Sequence, residues 1–160
     1  MLAVLIMRGV AFEFRSKSAN RTWRKVFDYC IFIGSIVPAL LWGVTVGNLI
    51  QGTPIDETMT YVGTFWDLLS PYTVLCGVAF VLVFTYHGGL FTSIKTAGPI
   101  SERARAASLV TGVPTAIGVI ALIIASYVYT DLYSSILATI FCALAVVCFL
   151  ISWAAARTRN

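Results

Sequence analysis

Four apolar runs, each long enough to cross a lipid bilayer, decide what this 160-residue chain can fold into. The hydrocarbon core of a membrane is about 30 Å thick and needs about 20 apolar residues per helix. With 59% hydrophobic and 11% charged residues, the composition excludes a water-soluble globule and a disordered chain. We therefore predict an all-α, polytopic transmembrane helix bundle that forms a single domain over residues 1–160. Its full spans are expected at about 26–50, 71–94, 107–129 and 132–155.

A fifth apolar segment, residues 1–14, is too short to cross a membrane. Its positive charge, Arg8, follows the apolar part, whereas a secretory signal peptide carries its positive charge in front. We interpret this segment as the end of a truncated helix that precedes the four full spans. On this interpretation the true beginning of the protein is expected to be missing.

Lysine and arginine are confined to alternate connectors of the predicted bundle. The connectors 51–70 and 130–131 contain neither, and they hold Asp56, Glu57, Asp67 and Asp131. The basic residues of the other connectors and of the chain ends are Arg8, Arg15, Lys17, Arg21, Arg24, Lys25, Lys95, Arg103, Arg105, Arg157 and Arg159. This alternation follows the positive-inside rule and predicts a cytoplasmic C-terminus. The formal net charge of +4 therefore reflects membrane topology, and no nucleic acid partner is needed to explain it.

Few ionisable side chains lie near the apolar runs, where a charge is costly and tends to mark a functional site. Glu13 is enclosed by apolar and aromatic neighbours, and two interpretations stay open. A half-buried carboxyl near the cytoplasmic boundary could take up protons, or it could form a structural salt bridge with Arg8, Arg15 or Lys17. Asp28 is expected in the first turn of a helix, where a carboxylate stabilises the positive end of the helix dipole.

His87 is the one histidine of the chain and is a poor metal site by itself. Haem can use a single histidine as an axial ligand, but no second ligand or pocket is evident, so we interpret His87 as a packing or interface residue. The four cysteines lie in apolar runs without a C-x-x-C spacing, and no metal site is predicted. Nucleotide-binding, metalloprotease, haem-attachment and hydrolase motifs are not found, and no catalytic residue is predicted.

The first full span carries residues that suit a contact between membrane helices. Gly43 and Gly47 form a small-x-x-x-small pair, which allows two helices to approach closely. Pro38 lies in the same span and can free a backbone carbonyl for another partner. Together with Asn48 and His87, these residues are the expected contacts with a partner helix.

Several short motifs in a fixed order resemble subunit II of the cytochrome bd-type quinol oxidases. They are RGVAFEFRSK at 8–17, FIGS at 32–35, GN at 47–48, LLSPY at 68–72, HGG at 87–89 and KTAGPISERARA at 95–106. The resemblance covers the central part of that subunit, whose opening helices, with their Trp-Asp-Gly-Asn segment, and final helices are expected to be absent. Family members commonly have alanine and tyrosine soon after the His-Gly pair, where this chain has Gly89 and Phe91. No function is therefore carried over to that stretch.

The resemblance implies a role beside a haem-carrying subunit I, in a respiratory complex of a bacterial or archaeal cell membrane. Such a complex oxidises quinol, reduces dioxygen to water and takes the protons for that water from the cytoplasm. Subunit II of that family binds none of the haems, so haem b and haem d are expected in the partner subunit. The chain is not expected to be catalytic by itself. Glu13 falls where the family places an acidic residue for proton uptake, and the expected partners are subunit I, quinone and membrane lipid.

Two other classes of protein stay open from the sequence. A small transporter would also have four spans joined by short loops, but it would place an acid near the bilayer midplane. Glu13 and Asp28 lie near an edge of the predicted bundle. The other class is a purely structural membrane subunit of another complex.

Overall fold

The computed structural model describes residues 1–56, 58–130, 133 and 135–158. Its elements in chain order are α1 (Leu2–Lys17), α2 (Arg21–Gln51), a 3-10 helix (Phe65–Leu69), α3 (Pro71–Lys95), α4 (Pro99–Tyr129) and α5 (Ile136–Thr158). The helices α2, α3, α4 and α5 are each long and apolar enough to cross a membrane. The all-α, polytopic transmembrane fold predicted from the apolar runs is therefore confirmed.

The helices extend beyond the predicted spans at their basic ends. α2 begins at Arg21 and α4 begins at Pro99, where the apolar pattern predicts starts near residues 26 and 107. α1 likewise continues to Lys17, past the predicted end at residue 14. Arginine and lysine are good helix formers, so the helix continues outside the apolar run. Outside the described residues lie the predicted start of the last span at Leu132 and the charged residues Glu57, Asp131 and Arg159.

Side-chain caps fix the first turns of α2 and α3. The side-chain oxygen of Asn20 accepts a hydrogen bond from the backbone N–H of Thr22 at 2.9 Å. The hydroxyl of Ser70 accepts one from the backbone N–H of Thr73 at 3.2 Å. Pro71 occupies the first position of α3, where its missing N–H costs no intrahelical hydrogen bond. Each cap satisfies a donor that the first turn of a helix leaves free.

The connector between α2 and α3 folds back on the end of the bundle. Ile55 and Tyr61 form an isolated antiparallel bridge, and the 3-10 helix follows it. The side-chain amide of Asn48 donates a hydrogen bond to the backbone carbonyl of Leu68 at 2.8 Å. This bond ties the 3-10 helix to the last turns of α2, so the connector is held at its far end as well as at its beginning.

Small residues let α3 lie close to both of its neighbours. A Cβ atom placed on Gly77 would lie 3.0 Å from the backbone oxygen of Leu40 on α2. On the other side, a Cβ atom on Gly89 would collide with the hydroxyl of Ser108 on α4. Such contacts between small residues are the usual way for helices to pack in lipid, where no hydrophobic force drives them together.

The inner contacts of α5 lie in its C-terminal half. The indole of Trp153 packs against Gly112 on α4, where an added Cβ atom would lie 2.9 Å from the ring. The hydroxyl groups of Tyr86 on α3 and Ser152 are 2.8 Å apart. Ala156 is the buried residue of this helix, and none of the apolar centre of α5 is buried. The N-terminal half of α5 therefore stands away from the other helices.

Candidate functional site

The charged residues at the junction of α1 and α2 form an ion pair between the two helices. Arg15 lies in the last turn of α1, and its guanidinium donates hydrogen bonds to both carboxylate oxygens of Asp28 on α2. Both side chains are about half exposed. A guanidinium and a carboxylate match in geometry, because two parallel N–H groups can face two oxygens. The pair therefore links the last turn of α1 to the third turn of α2.

The predicted role of Asp28 as a first-turn residue is wrong. α2 begins at Arg21, so Asp28 lies in the third turn, and the first turn contains no acidic residue. Asn20 supplies the cap instead. The sequence prediction fails because it equates the start of the apolar run with the start of the helix, and the basic residues before that run are already helical.

Glu13 forms an ion pair with Lys17, one turn further along α1. This pair is one of the salt bridges that the sequence left open for Glu13. Both side chains are about two-thirds exposed, so the half-buried position expected for the carboxyl is wrong. A glutamate placed four residues before a lysine is a favourable but weak helix pair. The Glu13 carboxylate is therefore in contact with water, and it lies on the same helix as Arg15, two residues away.

Arg8 lies deeper along α1, at its contact with α2. A Cβ atom on Gly34 of α2 would lie 2.7 Å from the Cβ atom of Arg8, so the two backbones are close at this point. The guanidinium carbon is 5.6 Å from the ring centre of Phe12, a distance typical of a cation–π contact. The Nε atom is buried, and within the described part of the chain it has no hydrogen-bond partner.

The small-x-x-x-small pair on α2 faces α3 of the same chain. A Cβ atom on Gly43 would lie 2.6 Å from the backbone oxygen of Cys76 and from the Cα atom of Gly77. A Cβ atom on Gly47 would lie 3.0 Å from the Cys76 sulfur. The side chain of Asn48 is held by the carbonyls of Val44 and of the connector. The structure thus brings these three expected contact residues together in an internal helix contact.

The other two expected contact residues lie apart from this cluster. Pro38 is buried within the bundle, whereas His87 is exposed on α3. His87 is followed by Gly88, around which a Cβ atom would meet nothing within 4 Å. An exposed histidine beside an open glycine leaves this part of α3 accessible, so a contact of His87 with another protein stays a prediction.

Metal-ligating side chains are not clustered in the described part of the chain. Among the described residues, no group of three or more histidine, cysteine, aspartate or glutamate side chains is close enough to hold an ion. Cys30, Cys76, Cys142 and Cys148 are free thiols, and only Cys76 among them is buried. Cys76 lies against Gly43 and Gly47, where it acts as a small packing residue.

Two pairs of hydroxyl groups link the membrane helices and were not anticipated from the sequence. Tyr72 on α3 and Ser126 on α4 have their oxygens 2.9 Å apart, and both side chains are buried. Tyr86 pairs in the same way with Ser152 on α5. Tyr72 and Tyr86 are about four helical turns apart, so they lie on one face of α3. The spacing of the two tyrosines is visible in the sequence, although it does not indicate which serine each tyrosine contacts.

A family of oxidase subunits matches the whole sequence, and individual members match about two thirds or more of it. The family described as cytochrome bd terminal oxidase subunit II matches residues 1–160. A protein of Haemophilus influenzae, named probable cytochrome oxidase subunit 2, is 40% identical over 121 residues, which are 73% of this chain and 32% of that protein. The cytochrome bd-I ubiquinol oxidase subunit 2 of Escherichia coli is 40% identical over 119 residues, 72% of this chain and 31% of that protein.

A third relative comes from another bacterium. The cytochrome bd ubiquinol oxidase subunit 2 of Bacillus subtilis is 39% identical over 105 residues, which are 66% of this chain and 31% of that protein. The chain therefore spans about a third of the length of the curated relatives that it matches.

Proposed function

The chain belongs to the cytochrome bd terminal oxidase subunit II family, and from this membership we propose that it forms part of a membrane-bound quinol:oxygen oxidoreductase. Its role there is to support a haem-carrying subunit I and to help supply protons from the cytoplasm. The observation that carries the proposal is the family match over residues 1–160, on a chain whose four long helices are apolar enough to span a membrane.

The orientation follows from the basic ends of the helices. The beginnings of α2 and α4 and the ends of α3 and α5 carry the basic residues of the membrane helices. Positive charge near short loops favours the cytoplasmic side. We therefore assign this end of the bundle to the cytoplasm, together with the C-terminus, Glu13 and the Arg15–Asp28 pair.

Proton uptake is assigned to Glu13. Its carboxylate is exposed at the basic end of the bundle, where it can exchange protons with water. Asp28, the acid on α2, accepts two hydrogen bonds from Arg15, whereas Glu13 pairs with one lysine and is more exposed.

Haem is assigned to subunit I. His87 is exposed on α3 and is not enclosed in a pocket of the kind that a haem needs. In this arrangement the haem b and haem d of the complex carry the electrons from quinol to dioxygen. This chain contributes a wall of apolar helices and the acid at the cytoplasmic surface.

The substitution Glu13→Gln in a complete subunit tests the proton role. We expect slower oxygen consumption by the assembled oxidase and an unchanged haem spectrum. Glu102→Gln is the matched control, since Glu102 is an exposed acid in the first turn of α4 at the same end of the bundle. Equal turnover of the Glu13→Gln and parent enzymes across the pH range would refute this role.

Copurification tests the assignment to the complex itself. A tagged subunit that contains this sequence is isolated from native membranes in mild detergent, and the visible spectrum of the eluate is recorded. We expect the bands of haem b and haem d to accompany the tag. A colourless eluate from membranes that contain the oxidase would contradict the assignment.

A further inference from the structure

An apolar cavity of about 380 Å³ lies among α2, α3, α4 and α5. Its wall includes Phe80 and Val83 of α3, Ile123 of α4 and Val146 of α5. The polar groups in the wall are few and contact one another, as the hydroxyl groups of Tyr72 and Ser126 do. Water in such a space would find few partners for its hydrogen bonds, so the cavity suits an apolar occupant.

The cavity reaches from one surface of the bundle to about its middle. Along α3 it extends from Tyr72, in the first turn, to Val83, which corresponds to about 16 Å of helix. That length is about half of the 30 Å hydrocarbon core, or one leaflet of the bilayer. On α3 the cavity wall ends at Val83: Phe149 still lines the cavity, but Tyr86, whose ring centre is 5.0 Å from that of Phe149, does not.

The width of the cavity excludes a protein helix as its occupant. The cavity holds about 380 Å³ over a length of about 16 Å. A helix of that length is about 10 Å across with its side chains and fills roughly 1,200 Å³. A single unbranched hydrocarbon chain is the occupant that has both the length of one leaflet and this narrow section.

The cavity is also open to the surrounding lipid. Ile50, Ile120 and Leu150 line it and are exposed on the bundle surface, so a chain can enter from the side. At its outer end stands Tyr133, whose ring lies 6.3 Å from that of Tyr127. Tyrosine rings of this kind favour the headgroup level of a membrane.

We propose that this cavity binds one acyl chain of a phospholipid, whose headgroup lies beside Tyr127 and Tyr133. The bound chain fills the gap between the N-terminal half of α5 and the other helices. This proposal depends on the membrane-spanning helices and not on the oxidase assignment, so a failure of either leaves the other standing.

Photo-crosslinking tests the proposal on the full chain. The protein is placed in vesicles of phosphatidylethanolamine and phosphatidylglycerol with a trace of phosphatidylcholine that carries a diazirine at the end of one acyl chain. We expect labelling near Val83 and Phe149, at the inner end of the cavity, that saturates at about one lipid per chain. Unlabelled phosphatidylcholine should compete with it. Labelling that never saturates, or competition by ubiquinone but not by phospholipid, would overturn the proposal.

Substitutions that fill the cavity with a larger side chain provide a second test, with a matched control on the same helix. Ala145 lines the cavity, whereas Ala143 on the same helix does not, so Ala145→Phe is compared with Ala143→Phe. We expect at least about a fivefold loss of saturable labelling in the first variant, because inserting bulk into a filled site costs about 1 kcal/mol or more, and none in the second. If Ala145→Phe loses its helical circular dichroism, Ala116→Phe fills the same cavity from α4. Equal labelling of a folded cavity variant and the control would refute the site.

Discussion

Arg15 in the last turn of α1 donates hydrogen bonds to both carboxylate oxygens of Asp28 in the third turn of α2. The pair bridges the short connection, residues 18–20, that joins these helices. Among the described contacts between α1 and α2, it is the one in which both partners are charged. The following prediction isolates its contribution.

We expect Asp28→Asn to loosen the docking of α1 on α2. Because both side chains are about half exposed, the effect should be small, about two- to fivefold in the local opening equilibrium, and it should shrink further in high salt. Hydrogen exchange of the α1 amides in detergent micelles measures it. Glu102→Gln removes an acid elsewhere and should leave α1 protected. Identical exchange in all three proteins would show that the pair does not hold α1.

We expect Gly43→Ala to destabilise the bundle by about 1–3 kcal/mol, the usual cost of overpacking. The added methyl group would lie 2.6 Å from backbone atoms of α3, which cannot rotate away. Unfolding by sodium dodecyl sulfate in mixed micelles measures the loss of stability.

Gly88→Ala is the control for this substitution. Gly88 also lies within a helix, but a methyl group there would meet nothing within 4 Å. Because alanine is the better helix former, Gly88→Ala should be neutral or stabilising by up to about 1 kcal/mol. If both variants lose the same stability, the α2–α3 contact is not the cause.

The Tyr86–Ser152 bond should show a measurable coupling. In a double-mutant cycle with Tyr86→Phe and Ser152→Ala, we expect an interaction energy of about 0.6 kcal/mol and at most about 1.7 kcal/mol, the mean and the maximum found for hydrogen bonds between membrane helices. Thermal unfolding in detergent provides the four stabilities. A second cycle with Tyr86→Phe and Ser126→Ala should give none, since Ser126 bonds to Tyr72. Coupling in the second cycle alone would reverse the assignment of the pairs.

We expect the carboxyl of Asp67 to have a lower pKa than that of an ordinary aspartate. Hydrogen bonds from the backbone N–H and the hydroxyl of Thr64 lower the pKa of this carboxyl from 3.8. A lowered pKa means that the ionised carboxylate stabilises the connector above pH 3.8, and that this stabilisation is lost as the pH falls through the lower, folded value. The carboxyl ¹³C shift of Asp67 in a pH titration measures the midpoint. A midpoint at or above 3.8 would contradict the cap, and Asp67→Asn should abolish the matching shift change at the Thr64 amide.

The sequence predicted the membrane helices well because their apolar runs report directly on burial in lipid. It predicted the helix ends less well. Hydropathy marks where a helix leaves the hydrocarbon, and the residues after Asn20 stay helical outside it. The position of Asp28 was mistaken for that reason, and its pairing with Arg15 depends on how two helices are arranged in space.

The residues expected to contact a partner helix show a second limit of prediction from the sequence. The spacing of Gly43 and Gly47 predicts a close helix approach, but a single helix does not encode which neighbour makes it. In the structure that neighbour is α3, through Cys76 and Gly77. The cavity beside α5 was equally beyond the sequence, because it arises from the divergence of whole helices rather than from any local pattern.

The hydrogen bonds that hold the α2–α3 connector against the bundle have a practical consequence for engineering. The hydroxyl of Ser70 donates a hydrogen bond to the side-chain oxygen of Gln51 at 2.8 Å, and the side-chain amide of Asn48 donates one to the carbonyl of Leu68. These two bonds hold the ends of the loop next to each other. Extra length in its middle therefore adds only a modest closure entropy and does not pull on α2 or α3. An epitope tag inserted beside Met59, which is 88% exposed, would report which side of the membrane the loop occupies without disturbing the helices.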